Sequence, residues 1–270
     1  MPASPLILTS IVALLAAFGF GKSACADPLH VERLNWAGVR FVYGTTTVLV
    51  DAVGGEIWDN DPPEALAAVS AETARRYALL THVHDDHFDA ETLKRVLGDR
   101  GTVICHESAA VYVASRGLKV TPVALYEPVV RGDFIFIAVP AEDGFGDEQV
   151  SWIVSVNGKR FFHGGDTLWH GQWQTIGAQY GPFDAAFLPI NGARLQSDPM
   201  PETPGVMTPA QAVDAGKILR ARKIVPIHFG FNDPPAYVES ETPLSTLQTE
   251  AARRGMPTEH LLPGESLTLD

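Results

Sequence analysis

Cysteine is scarce in this chain. Its 270 residues hold two, Cys25 and Cys105, and the first falls in a segment that reads as a removable leader. A mature chain with one thiol forms no internal disulfide, so its stability must come from an apolar core or a bound ion. Cys105 follows the strand-like Thr102-Val103-Ile104 and reads as a buried structural thiol. Basic charge is scarce as well: 20 Lys and Arg stand against 32 Asp and Glu, for a formal net charge of −12. Proteins that grip a nucleic-acid backbone usually show a basic patch, so nucleic acid is excluded as the main partner. Repeats, low-complexity tracts and linkers are missing too, which argues for one domain.

One long apolar run stands out. Residues 5–21 are largely apolar and uncharged, and Ala24-Cys25-Ala26 is an A-x-A cleavage site before Asp27. Residues 1–26 therefore read as an export signal and 27–270 as the mature domain, periplasmic or secreted. The leading Met1-Pro2-Ala3-Ser4 lacks the usual Lys or Arg, and an uncleaved anchor is the alternative, on a run slightly short of a full span. Cleavage would remove a single charged residue, Lys22, and leave the chain more acidic.

Hydrophobic residues make up 46% and charged residues 19% of the chain, ordinary values for a globular protein that can bury a substantial core. Local patterns predict strands over 34–37, 39–43, 46–50 and 77–80, with a helix over 62–76 between the last two. Asp89 can cap a helix running to Leu97 and stopped by Gly98. A strand over 102–105, a helix over 108–115 and strands over 120–125 and 134–139 follow. Asn157-Gly158 between strands 150–156 and 159–163 is the strongest short hairpin signal, a type I′ turn. A strand over 183–188 precedes the capping box at Thr208-Pro209-Ala210-Gln211, which opens a helix to about Leu219. Strand 223–227, helix 243–254 and a short strand over 266–269 complete the chain. Strands and helices interleaved around a central hairpin suit two β-sheets with helices outside them.

The densest chemistry lies in Thr81-His82-Val83-His84-Asp85-Asp86-His87, the pattern H-x-H-x-D-H. Alternate side chains of an extended segment point the same way, so His82 and His84 can grip one ion together. The chain then turns, and Asp86 and His87 can face a second position. Nitrogen and oxygen donors this dense suit zinc or another divalent transition metal.

These residues, together with Phe162-His163-Gly164-Gly165-Asp166-Thr167 and Val225-Pro226-Ile227-His228-Phe229-Gly230, resemble the signature loops of the metallo-β-lactamase superfamily from about Val31 onward. The resemblance implies an α/β fold, a four-layer αβ/βα sandwich with a mono- or dinuclear site on one edge. It implies Asp166 as a bridge between two ions and His228 as completing the second site with Asp86 and His87. An aspartate at the place of Asp51 helps orient the metal loop in that family; an ordinary turn aspartate is the other reading. The family's third first-site histidine is missing: Pro140-Ala141-Glu142-Asp143 carries Asp143 where relatives carry His. Either Asp143 ligates through oxygen, or the first site is weak and the centre effectively mononuclear.

His170, in Asp166-Thr167-Leu168-Trp169-His170, is a candidate substrate contact or general acid, with a structural role as the alternative. Pro140-Ala141, Gly165-Asp166-Thr167 and Trp36-Ala37-Gly38 look most like the branch holding L-ascorbate-6-phosphate lactonase and N-acyl-phosphatidylethanolamine phospholipase D. The implied activity is an exported hydrolase in which metal-activated water attacks an ester, lactone or phosphodiester. Asp86 would orient that water and accept its proton. The cofactor would be one or two Zn2+, with Mn2+ or Fe2+ as substitutes, and the substrate a small molecule or a membrane lipid. A β-lactamase-like enzyme and a non-catalytic metal- or partner-binding protein on the same scaffold are the rival readings.

Overall fold

Two runs of alternating side chains shape the chain into facing sheets. The computed structural model describes residues 27–55, 70, 73–144, 146, 148–195 and 203–269. The leader over 1–26 and nearly all of the helix expected over 62–76 lie outside them. The first sheet runs in the order β1 (His30–Asn35), β2 (Gly38–Tyr43), β3 (Thr46–Val50), β4 (Arg75–Leu80), β5 (Thr102–His106) and β6 (Val120–Val123). Its first three strands pair antiparallel and the rest parallel.

The second sheet contains β7 (Pro128–Arg131), β8 (Phe134–Pro140), β9 (Val150–Val156), β10 (Lys159–His163) and β11 (Ala185–Pro189). A two-residue strand, β12 (Arg194–Leu195), leaves it before β13 (Ile224–Ile227) returns to its edge, giving the order β13-β11-β10-β9-β8-β7. β12 pairs instead with β14 (Tyr237–Val238) in a separate ribbon. The β9–β10 turn is the expected one, with Asn157 and Gly158 both at positive φ, 50° and 73°.

Alternation decides which residue faces which layer. Val48, Val50, Phe41 and Leu79 of the first sheet meet Phe134, Phe136, Trp152 and Phe161 of the second in the central core. The intervening Leu49, Ala78 and Leu80 face outward, under α1 (Ala90–Leu97) and α2 (Glu107–Ser115). Ile153 and Phe162 likewise face α3 (Trp173–Tyr180), α4 (Pro209–Ile218) and α5 (Pro243–Arg254). The layers are helix, sheet, sheet, helix, so the four-layer sandwich is what the chain forms. Cys105 is buried on the helix side of the first sheet, and burial pushes its thiol up to about 12. It is inert packing.

Some expectations need correction. β4 already begins at Arg75, so strand pairing with β3 takes over the end of the expected helix. Residues 266–269 form no strand: Ser266 makes one bridge to Glu32, and Leu267 N donates to Val31 O at 2.7 Å. Strand 120–125 stops at Val123.

Candidate metal centre

Every residue of the centre leaves the carboxyl end of a parallel strand. Asp51 follows β3, the Thr81–His87 loop follows β4, Asp166 follows β10 and His228 follows β13. Open α/β sheets place ligands at such ends because loops diverge there and leave a crevice. Two of these residues adopt left-handed backbone, Asp51 at φ 44° and His228 at φ 55°. A non-glycine residue holds that conformation only when its surroundings fix it. Asp51 is fixed by Thr81, whose N–H and Oγ1–H donate to its two oxygens at 2.9 and 2.7 Å. His228 N donates to Trp36 O at 3.0 Å. Gly165, also left-handed at φ 66°, lies so close to Thr81 that a Cβ would sit 3.1 Å from it. A larger residue there would push Asp166 away.

The side chains converge. His82 Nε2 and His84 Nδ1 lie 2.9 Å apart, and His82 Nε2 is 3.6 Å from Asp166 Oδ1. Asp86 Oδ2 accepts from Trp36 Nε1 at 2.9 Å, and His228 Nε2 is 3.2 Å from it. His87 turns Nε2 toward the same oxygen at 3.4 Å and Nδ1 toward Asp51 Oδ2 at 2.9 Å. Three sets each bring their ligand atoms within 4.8 Å of one another: His82 with His87 and Asp166, His82 with His84 and Asp86, and Asp86 with His87 and His228.

The donors fit a divalent ion. Asp86 Oδ1, Asp166 Oδ1 and His87 Nε2 are buried and make no hydrogen bond among the described residues. Unsatisfied buried polar atoms are costly, and so many in one place point to a missing partner. Burial holds His82 down to about 3, so it is the neutral imidazole that an ion requires. Burial also opposes the charge of Asp86. The His87 charge and the hydrogen bond from His228 outweigh it, holding the carboxyl well below its ordinary value. Burial opposes a charged His87 as well, but Asp86 and the Asp51 hydrogen bond raise it well above the usual histidine value. In this pair a proton stands where a cation fits.

The structure thus brings together His82, His84, Asp86, His87, Asp166 and His228. It places Asp143 differently. That carboxylate is fully buried, yet it sits 3.5 Å from His84 Nε2, the nitrogen facing away from His82, and joins none of the three sets. His170 stays apart: its ring stacks on Trp173 at 4.5 Å and 19°, and Gln172 N donates to its Nδ1 at 3.1 Å. Burial pushes His170 to about 4, so it holds no proton to give near neutral pH. It belongs to none of the three sets, and its Nε2 is buried without a hydrogen bond among the described residues.

Other residues matter that sequence reasoning did not assign. Trp36 gives its N–H to Asp86 and packs its ring 4.3 Å from that of His228. His163 lies with Nε2 2.8 Å from Ala37 O, and Gly165 N donates to its Nδ1 at 3.2 Å, which fixes the turn bearing Asp166. A cavity of about 320 Å³ opens beside the centre, walled by His84, Asp86, Asp166 and His228 on one side and by Val83, Leu195 and Tyr237 on the other. Tyr237 is buried and its oxygen accepts from Asn191 Nδ2 at 2.5 Å.

Known proteins share this arrangement of sheets and loops. Residues 46–229 match the family described as the beta-lactamase superfamily domain. A UPF0173 metal-dependent hydrolase from Rubrobacter xylanophilus is 31% identical over 213 residues, covering 72% of this chain and 82% of that one. Igni18, a metallo hydrolase from Ignicoccus hospitalis, superposes with a TM-score of 0.69 at 19% identity, over 90% of this chain and 98% of its own. CmlA, a diiron β-hydroxylase from Streptomyces venezuelae, superposes with a TM-score of 0.68 at 18% identity, over 90% of this chain and 54% of its own. A family match that spans most of the sandwich and every strand end of the centre means that this chain belongs to the β-lactamase superfamily.

Proposed function

We propose that the protein is an exported metal-dependent hydrolase acting on an ester, lactone or phosphodiester. The observation that carries this reading is the convergence of six imidazole and carboxylate side chains with unsatisfied buried atoms among them. His82, His84 and Asp166 would hold one ion, and Asp86, His87, Asp166 and His228 a second. Zn2+ suits the imidazole-rich set; Mn2+ or Fe2+ suits the oxygen donors better, and CmlA is a diiron enzyme. A bound divalent ion supplies Lewis acidity and lowers the pKa of water towards ~7. The chain's own residues do the rest. Asp86, fixed by Trp36 Nε1, orients the attacking water and takes its proton. Thr81 and Asp51 hold His87 in place, and the β12–β14 ribbon walls the substrate against bulk water.

The test is metal analysis together with turnover of p-nitrophenyl esters and bis(p-nitrophenyl) phosphate. We expect wild-type protein to purify with divalent metal and to lose turnover in chelator. Asp166→Ala should lose metal at both positions. Unchanged metal in that variant would mean that the centre is misassigned. Export is inferred from residues 5–26, and the exported protein should begin at Asp27 on N-terminal sequencing. Recovery of a chain starting at Met1 from the cytoplasm would overturn it.

A further inference from the structure

The cavity beside the centre is uneven in charge. Its far wall comes from the ribbon, where Leu195 pairs with Tyr237 across the strands. Side chains alternate along a strand, so these two share the face toward the cavity while Arg194 and Val238 take the other face. Val83 extends the apolar wall. The one polar group there is uncharged: Tyr237 accepts from Asn191, which turns the phenol's own hydrogen away from that amide. No Lys or Arg lines the cavity among the described residues.

The near wall is acidic. Asp86 and Asp166 stand in the centre, with Asp51 behind His87 and Asp143 behind His84. Those four carboxylates stand in or behind the centre, and Asp85, exposed at the rim, adds a fifth that belongs to none of the ligand sets. Away from the centre, an anionic substrate would meet no Lys or Arg of the described lining and one exposed carboxylate, Asp85. A neutral chain would meet Val83, Leu195 and the Tyr237 ring.

We propose that the cavity takes an uncharged acyl compound, an ester or lactone with a short apolar chain, and rejects anionic substrates, phosphodiesters included. This rests on the hydrolase reading above and narrows it. In the step itself the oxygen of water bonds to the acyl carbon and the ester or lactone C–O bond breaks; one proton of that water goes to the departing alkoxide, which becomes an alcohol (in a lactone, a hydroxyl of the same molecule), and the other passes by way of Asp86 to solvent. The other product is a carboxylate, which an acidic cavity expels.

The probes are two hydroxamates with the same metal-binding head, butyrohydroxamate and succinyl monohydroxamate, which differ in a terminal carboxylate. Calorimetry on the metal-loaded protein should show the neutral one binding about tenfold tighter at low ionic strength, with the gap closing as salt rises. p-Nitrophenyl butyrate should exceed mono-p-nitrophenyl succinate in kcat/KM by a similar factor. Leu195→Lys, which sets a cation on the apolar wall, should narrow or reverse both preferences. Equal or tighter binding of the succinyl compound by metal-loaded wild type would overturn the proposal and leave the hydrolase reading standing. So would an unchanged preference in Leu195→Lys. Failure of the wild type to load metal would overturn both.

Discussion

A histidine binds an ion through one ring nitrogen, and whatever holds the other nitrogen decides which tautomer is present. Two histidines here lean on carboxylates: His87 Nδ1 on Asp51 and His84 Nε2 on Asp143. Asp51→Asn would set an amide donor against His87 Nδ1 and force the proton onto Nε2, the nitrogen facing Asp86. We expect a loss of about 10–100-fold in metal affinity, read by competition with a chromogenic chelator, with far-UV circular dichroism unchanged. Asp143→Ala should cost less, because His84 is partly exposed and water can replace the carboxylate. An effect from Asp143→Ala as large as that from Asp166→Ala would make Asp143 a ligand. The ligand candidates were legible in the sequence because each sits in a short motif. Trp36 helped mark the resemblance, but its role was not legible, since its partner Asp86 lies 50 residues away and a tryptophan in an expected strand looks like core. Tyr237, Asn191 and Leu195 were hidden for the same reason.

At the scale of elements, legibility followed local chemistry. Helix α1 begins where Asp89 accepts from Thr92 N, and α4 where Thr208 and Gln211 cap each other. Helix α3 has no side-chain cap at Gln172, and nothing in the sequence announced it. Strand β7 begins at a proline on a sheet edge with alternate residues exposed, which reads as loop. Strands β12 and β14 are too short to show a period. The capping box also lends itself to measurement. Thr208→Ala leaves an N-terminal amide of α4 without its partner and should cost about 1 kcal/mol, or a fall in Tm of roughly 2–4 °C. Thermal unfolding at fixed metal checks this, and an unchanged Tm would mean that water replaces the cap.

At the scale of the molecule, the centre draws on both halves of the sandwich. Asp51 and the Thr81–His87 loop belong to the first sheet, Asp166 and His228 to the second. An ion held between them ties the sheets at one edge, so its binding free energy becomes folding free energy. Chelator should lower Tm by the equivalent of about 2.7 kcal/mol when free metal had stood ~100-fold above Kd. Asp166→Ala should respond little. A wild-type Tm indifferent to chelator would show that the ion does not join the halves. The ribbon carries a different consequence. Its strands of two residues each donate no member of the three ligand sets, yet they supply Leu195 and Tyr237 to the cavity wall. Changes there alter which molecule fits and leave the ligand residues untouched. Over evolutionary time, the reaction and the choice of substrate can therefore be inherited separately, and chains sharing this centre can differ in diet through two residues.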